Sequence, residues 1–237
     1  MAITNTTVAE IAAESLAAVR VFERLGIDYC CGGKRPLDEV CSEKGLSADA
    51  VRSELDAAMA ASAPGTCDWA TAPLRDLIDH IVGTHHEYLR RELPALAARV
   101  EKVHRVYTGR NLAEGLPGLP ETFGALRTEL EAHMAKEEVI LFPMIAAGIP
   151  HIAKPIRVME FEHESAGDAL ARIRQITRDH SVPDYACVTY RAMLAGLKEL
   201  ETDLHLHIHL ENNILFPRAL RLVQDRLSGS EAAFTLR

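Results

Sequence analysis

The sequence is poor in aromatic residues, which make up 5% of its 237 residues, and it has no long uninterrupted apolar run. Its most apolar stretch, residues 139–153, is broken by Pro143, Gly148 and Pro150, so we expect no membrane span. The first ten residues lack the basic start and apolar core of a signal peptide. These absences predict a cytoplasmic protein with no membrane partner.

The sequence also lacks an excess of positive charge and any regular cysteine spacing. It has 26 Lys and Arg residues and 34 Asp and Glu residues, and the resulting net charge of −8 argues against nucleic acid as a partner. The five cysteines are an odd number without the spacing of a zinc ribbon. A reducing cytosol is therefore the expected compartment.

No long alternating β-pattern is present, and the abundance of Ala, Leu and Glu predicts an all-α protein. Short breaks rich in Pro and Gly separate four long helical segments, which are expected near residues 73–106, 119–146, 155–179 and 184–222. Connections this short favour antiparallel neighbours. The sequence therefore predicts an up-down-up-down four-helix bundle.

The chain before and after this bundle has a different pattern. In residues 1–61, apolar spacing and capping residues predict a small domain of three short helices. Residues 62–72 have the Pro, Gly and Thr content of a linker. The expected division is a small domain at 1–61, a linker at 62–72, the bundle at 73–222 and a C-terminal tail at 223–237.

An internal repeat connects the second and fourth long helices. The segment His133-Met-Ala-Lys-Glu137-Glu-Val-Ile-Leu-Phe-Pro143 reappears as His207-Ile-His-Leu-Glu211-Asn-Asn-Ile-Leu-Phe-Pro217. Both copies carry His-x-x-x-Glu and then Ile-Leu-Phe-Pro. The repeat predicts two helical hairpins related by approximate two-fold symmetry. The proline is expected to bend or end each helix about one turn after the glutamate.

Each of the four long helices has a seam of apolar residues that is interrupted by one histidine or by one His/Glu pair. The six interrupting residues are His86, His133, Glu137, His163, His207 and Glu211. An unsatisfied polar group in such a core costs roughly 2–7 kcal/mol, and two bound cations would offset this cost. Imidazole and carboxylate ligands suit iron, manganese or zinc. If both glutamates bridge two ions, a shared oxo or hydroxo group and open positions remain, which predicts a reactive centre.

The alternative for any one of these histidines is a hydrogen-bonded core residue without a metal. The coincidence of six seam positions with the repeat favours metal binding. His85 is adjacent to His86, and the seam selects His86 as the ligand. His205 and His209 lie off the fourth seam. The remaining histidines are expected at the surface: His80, His85, His104, His151 and His180.

Two vicinal cysteines, Cys30 and Cys31, lie in the segment Asp28-Tyr-Cys-Cys-Gly-Gly-Lys34-Arg35-Pro36. A helix N-terminus and nearby cations lower thiol pKa, which predicts thiolate chemistry. The alternative is a buried cysteine pair in a glycine turn. The other three cysteines have no comparable setting: Cys41, Cys67 and Cys187.

These motifs resemble those of the iron–sulfur cluster repair di-iron proteins, the "repair of iron centres" family, over nearly the whole chain. The Asp28–Lys34 motif is similar to that of the family's small first domain, and the helical remainder resembles its hemerythrin-like domain. The resemblance implies a non-haem di-iron centre with four His and two bridging Glu ligands. These ligands fall on the six seam positions, and the departure to note is the adjacent pair His85-His86.

The resemblance implies a cytoplasmic function under oxidative or nitrosative stress, namely repair of damaged iron–sulfur cluster proteins by supplying iron. It also implies a functional, cofactor-binding role for Cys30 and Cys31. Two alternatives stay open: an enzyme that reduces nitric oxide to nitrous oxide at the irons, and a hemerythrin-like sensor of oxygen, redox state or nitric oxide. Nitric oxide and oxygen are the expected small ligands, and exposed Cys30 and Cys31 could support a homodimer. No catalytic residue is assigned.

Overall fold

A computed structural model describes residues 6–61, 68–111 and 115–234, with side chains up to residue 226. The chain forms two compact units. Unit 1 contains residues 1–79, 148–150 and 205–237, and unit 2 contains residues 80–147 and 151–204. The predicted linker lies partly outside the described residues, at 62–67, as do Cys67 and the last three residues of the predicted tail.

The first segment is helical, as predicted, but it contains four helices and not three. These are α1 (Val8–Glu14), α2 (Leu16–Leu25), α3 (Leu37–Glu43) and α4 (Ala48–Ala60). The additional break is at Ser15, whose backbone is extended at φ −161° and ψ 131°. Its hydroxyl oxygen accepts a hydrogen bond from the Ala17 N–H and so caps a new helix.

Unit 1 has its own apolar core, formed by the inner faces of α1 to α4. Phe22, Tyr29 and Leu55 are at most 1% exposed within it. Ile208, from a later helix, belongs to the same core. Burial of one such side chain stabilises a fold by about 1.5–3 kcal/mol. The small domain is therefore held by a core and not only by its caps.

The rest of the chain consists of long helices, three of which are interrupted by π-helical turns. The elements are α5 (Leu74–Ile81), π1 (Val82–His86), α6 (Glu87–Thr108), α7 (Leu119–Lys136), π2 (Glu137–Leu141), α8 (Phe142–Ala147), α9 (Ala153–Thr177), α10 (Val188–His209), π3 (Leu210–Leu215) and α11 (Phe216–Phe234). The four predicted long helices are confirmed as α5–α6, α7–α8, α9 and α10–α11. The last one continues beyond the predicted end at residue 222. Among the helices that the structure describes, none is long and apolar enough to cross a membrane.

Unit 2 is the body of the predicted bundle. Buried residues of α6, α7, α9 and α10 form one core, in which Leu93, Leu126 and Leu200 are fully buried. The start of α6 contacts the turn after α7 through His86 and Glu138, so these helices are antiparallel. The end of α6 meets the start of α10, where the rings of Tyr107 and Tyr190 are 4.9 Å apart. His133 and Glu129 of α7 pair with Glu162 and Ser165 of α9 in the opposite chain order, so α9 is antiparallel to α7 and the up-down-up-down order is confirmed.

Candidate metal centre

Unit 2 brings four of the six predicted ligands together at the end of its core. Glu137 Oε2 lies 3.4 Å from His86 Nε2 and 3.4 Å from His133 Nε2. His163 Nε2 lies 3.0 Å from His133 Nε2. His86 and Glu137 are fully buried, and the other two side chains are at most 4% exposed. One carboxylate oxygen is thus shared between imidazoles from two different helices.

The remaining two predicted ligands lie in unit 1, on the continuation of α10. His207 Nε2 is 3.1 Å from Glu211 Oε1, and these residues are 2% and 0% exposed. They have the same i,i+4 spacing as His133 and Glu137, so one helix face presents both side chains. The structure therefore buries the His and the Glu of both copies of the repeated motif.

These donor atoms fit a metal ion. The ligand atoms of His133, Glu137 and His163 all lie within 4.8 Å of one another. Adjacent ligands on one ion with bonds of about 2.1 Å are separated by roughly 3 Å, close to the observed 3.0–3.4 Å contacts. Imidazole and carboxylate donors together suit iron, manganese or zinc.

The three π-helical turns coincide with predicted ligand positions. His86 ends π1, Glu137 begins π2, and Glu211 is the second residue of π3. The wide turn is visible in the hydrogen bonds from the Phe142 N–H to the Glu137 carbonyl and from the Phe216 N–H to the Glu211 carbonyl, five residues back. Such turns are frequent at functional sites because they change the direction in which side chains point.

The prolines were expected to bend or end their helices, and they do not end them. Pro143 and Pro217 lie at the second position of α8 and α11, and both helices continue. In a regular α-helix the proline ring clashes with the carbonyl four residues earlier. A wide turn directly before the proline relieves this clash, which explains why Phe-Pro can follow π2 and π3.

Two carboxylates outside the donor set hold the ligand imidazoles. His86 Nδ1 is 2.6 Å from Glu138 Oε1, and His133 Nδ1 is 2.9 Å from Glu162 Oε2. Arg90 donates to Glu138 at 2.5 Å, and Lys136 donates to Glu162. A carboxylate on Nδ1 fixes the proton there and leaves Nε2 as the metal-binding atom.

The charges on these outer carboxylates follow from their surroundings. Burial by itself would raise the pKa of Glu138, but hydrogen bonds from His86 and Arg90 outweigh burial and hold that pKa below its ordinary value. The pKa of Glu162 is lowered in the same way, against burial, by Lys136 and His133. Both groups are therefore anionic at neutral pH. The seam pattern does not identify these two glutamates because they lie one residue off the seams, although each directly adjoins a predicted ligand.

Two histidines that were expected at the surface have buried side chains. His85 is 2% exposed, and its Nδ1 lies 2.9 Å from Asp203 Oδ1, whereas its neighbour His86 faces Glu137. The side chain of His180 is 6% exposed, and its Nε2 lies 2.9 Å from Glu201 Oε2. Both are structural histidines paired with carboxylates. A polar residue just off a seam can still be buried when a partner on the next helix satisfies it.

Cys30 and Cys31 lie side by side in unit 1, with their Sγ atoms 3.6 Å apart. Cys30 is 6% exposed, which corrects the expectation that this thiol is exposed. Its hydrogen bond with Cys31 and its burial raise the pKa of the Cys30 thiol well above its ordinary value, so the expected thiolate is not favoured there. Arg35, one of the expected activating cations, is paired with Glu39 and Glu43.

Comparison with known families gives one match for the bundle and one for the N-terminal domain. Residues 77–219 match the family described as the hemerythrin HHE cation binding domain. Residues 4–59 match ScdA_N, which is described as a domain of unknown function. The first match covers more than half of the chain and includes all six predicted ligands.

Full-length relatives extend this comparison. The chain is 41% identical to the iron-sulfur cluster repair protein YtfE of Pectobacterium carotovorum and 43% identical to that of Escherichia coli O81. Each match covers 93% of this chain and 99% of the relative. The chain belongs to this cluster repair family. The hemerythrin-like bundle is therefore confirmed, and the buried His and Glu donors of this family member indicate a metal site, with iron the best supported ion.

Proposed function

We propose that His86, His133, Glu137, His163, His207 and Glu211 together hold two iron ions that share an oxo or hydroxo bridge. The observation that carries this proposal is the position of Glu137, whose Oε2 lies 3.4 Å from the Nε2 atoms of two histidines on different helices. A carboxylate shared in this way suits a bridging ligand. The repeat supplies a second glutamate, Glu211, in the same motif.

The protein's own residues define how such a centre would work. His86 and His133 would bind iron through Nε2 because Glu138 and Glu162 hold their Nδ1 protons. The buried donor set excludes bulk water, and the ring of Phe142 packs 5.8 Å from the ring of His86. Glu137 and Glu211 would supply the carboxylate ligands of the two ions. Bound iron would supply redox chemistry and open coordination positions.

We further propose that the protein repairs iron–sulfur clusters damaged by oxidative or nitrosative stress, by donating iron to the damaged protein. The names of its relatives, which align over nearly their whole length, support this function. Neither the nitric oxide reductase nor the sensor alternative has an observation in its favour. Three further expectations stay predictions. They are the cytoplasmic location, a cofactor-binding role for Cys30 and Cys31, and the domain division at 1–61, 62–72, 73–222 and 223–237. A homodimer also stays a prediction, and the burial of Cys30 argues against contact through that thiol.

The repair function can be tested with iron-57-loaded protein and a dehydratase whose cluster has been damaged by peroxide or nitric oxide. We expect the dehydratase to regain activity and to acquire iron-57 from the repair protein. The Glu137→Ala variant should give neither result, whereas the Val139→Ala variant, changed at a 74% exposed side chain, should behave as wild type. Reactivation without transfer of iron-57 would contradict iron donation. Multiple-turnover nitrous oxide formation without reactivation would contradict the repair function.

A further inference from the structure

Asn213 connects the metal-ligand helix of unit 1 to the loop that carries the cysteine pair. It lies in π3, two residues after Glu211. Its Nδ2 donates to the Tyr29 carbonyl oxygen at 2.9 Å and lies 2.9 Å from His209 Nδ1. Because an amide nitrogen only donates, Nδ1 of His209 accepts, and the ring carries its proton on Nε2. One side chain thus joins the backbone before Cys30 to the last residue of α10.

The groups around this contact are rigidly packed. Tyr29 is 1% exposed, its ring meets that of His209 edge-on at 5.4 Å, and its hydroxyl donates to Glu23 at 3.0 Å. His209 is also 1% exposed. Because these groups have little freedom to move apart, displacement of the Tyr29 carbonyl would be transmitted to π3.

The internal repeat indicates that Asn213 is not needed for metal binding as such. The equivalent residue in the first copy, two positions after Glu137, is Val139, which is 74% exposed. Both copies share the His-x-x-x-Glu and Ile-Leu-Phe-Pro segments around this position. The copies therefore differ at the position where the second one contacts the cysteine loop.

The cysteine loop is held in one tight conformation. The Asp28 carboxylate accepts hydrogen bonds from the N–H groups of Cys30, Cys31 and Gly32, at 3.0, 3.0 and 2.9 Å. A Cβ atom at Gly33 would lie 2.6 Å from the Tyr29 carbonyl oxygen, so that only glycine permits this close approach.

This conformation is suited to the two thiols and not to a disulfide. The two Sγ atoms are 3.6 Å apart, whereas a disulfide joins its sulfur atoms at about 2.05 Å. Because the peptide between adjacent cysteines fixes their Cα atoms about 3.8 Å apart, the sulfur atoms can approach only if the side chains and the peptide groups around them rotate. The peptide that joins Tyr29 to Cys30 contains the carbonyl that Asn213 binds.

We propose that Asn213 is a positioning residue that transmits the oxidation state of Cys30 and Cys31 to the helix that carries His207 and Glu211. A peroxide takes two electrons and two protons from the thiols, which form a disulfide, and is itself reduced to water. The rotated Tyr29 carbonyl then leaves Asn213, and the π3 turn loosens. This regulation rests on the proposed function, since it would adjust how firmly the second half of the iron centre is held.

The test measures amide hydrogen exchange in residues 206–216 of the full-length protein, with and without iron. Diamide, which takes up the two protons and two electrons as a hydrazine, converts the thiols to the disulfide, and thiol titration verifies the conversion. In the wild type we expect disulfide formation to speed exchange about tenfold, a typical size for coupling between two sites. Iron release to a chelator should accelerate in parallel.

Asn213→Ala and the isosteric Asn213→Asp, which cannot donate to a carbonyl, should exchange at the same rate before and after oxidation. Val139→Ala, at the equivalent position of the first copy, should respond as wild type, and Cys30→Ser should not respond. An oxidised wild type with unchanged exchange would overturn the proposal, as would an Asn213→Asp variant that keeps the full response. Absence of bound iron would contradict the proposed function alone, because exchange in the iron-free protein still tests Asn213.

Discussion

At the scale of single residues, the carboxylates outside the donor set determine how the imidazoles are presented. Glu138 reaches His86 from the turn after α7, and Glu162 reaches His133 from α9. Each is in turn held by a cation, Arg90 or Lys136. The Nε2 atoms of His86 and His133, which face Glu137, are thus each oriented by a chain of charged side chains that ends near the surface.

Replacing Glu138 with Gln should weaken metal affinity by about 10–100-fold, because the amide no longer holds the His86 Nδ1 proton as a carboxylate does. Competition with a chelator of known affinity measures this loss. The matched control is Glu87→Gln, since Glu87 also pairs with Arg90 but is 61% exposed and does not bond to a ligand. Equal affinities for the Glu138→Gln variant and the wild type would contradict the assigned role.

Gly33 provides a second test at this scale, because its missing side chain allows the cysteine loop to close. Gly33→Ala should reduce the free energy of unfolding by roughly 1–3 kcal/mol, since the new Cβ would overlap the Tyr29 carbonyl. Gly124→Ala is the control, because no atom lies within 4 Å of its added Cβ and alanine favours the helix. Urea denaturation compares the two variants. A Gly33→Ala variant as stable as the wild type would show that the loop can relax.

The sequence was informative about residues that lie on seams and uninformative about their partners. Helical periodicity identifies His86 because this residue occupies a position in the repeating apolar face of its helix. It does not identify Glu138 or Glu162, which are neighbours of ligands in sequence and contact a different helix in space. The burial of His85 was missed for the same reason, since its partner Asp203 is more than 100 residues away.

At the scale of elements, the π-turns are what the sequence pattern could not predict. Apolar residues spaced three and four positions apart describe a regular α-helix. One additional residue in a turn locally changes which side chains lie on the buried face. The late prolines in the repeat were correctly recognised as a disturbance, but the helix accommodates them by widening instead of ending. The break at Ser15 was likewise hidden within a continuous apolar pattern, because Ser is tolerated both within helices and as a cap.

The helices of unit 2 depend on their shared core, and Leu93 of α6 tests this dependence. Leu93 is fully buried, so Leu93→Ala should cost about 2–5 kcal/mol of stability by leaving a cavity. Val106→Ala, on the same helix but 41% exposed, should change stability by less than about 0.5 kcal/mol. Chemical denaturation of the metal-free protein measures both variants. Similar losses for both would indicate that α6 does not pack as described.

At the scale of the whole molecule, metal binding and folding should be linked. A metal ion that binds the folded chain and not the unfolded chain stabilises the fold in proportion to its occupancy, by about 2.7 kcal/mol at 100 times Kd. Iron should therefore raise the Tm of the wild type and leave the Tm of a Glu137→Ala, Glu211→Ala double variant unchanged. Thermal denaturation with and without iron checks this. An equal rise in both proteins would indicate iron binding elsewhere.

The central claim is tested most directly by measuring iron per chain after anaerobic iron loading and desalting. The wild type should hold about two irons, as in other di-iron sites of helical bundles. The Glu137→Ala, Glu211→Ala double variant should hold close to none, and His85→Ala should keep both, because His85 pairs with Asp203 and not with the donor set. A wild type that retains no iron, or a double variant that retains two, would contradict the claim.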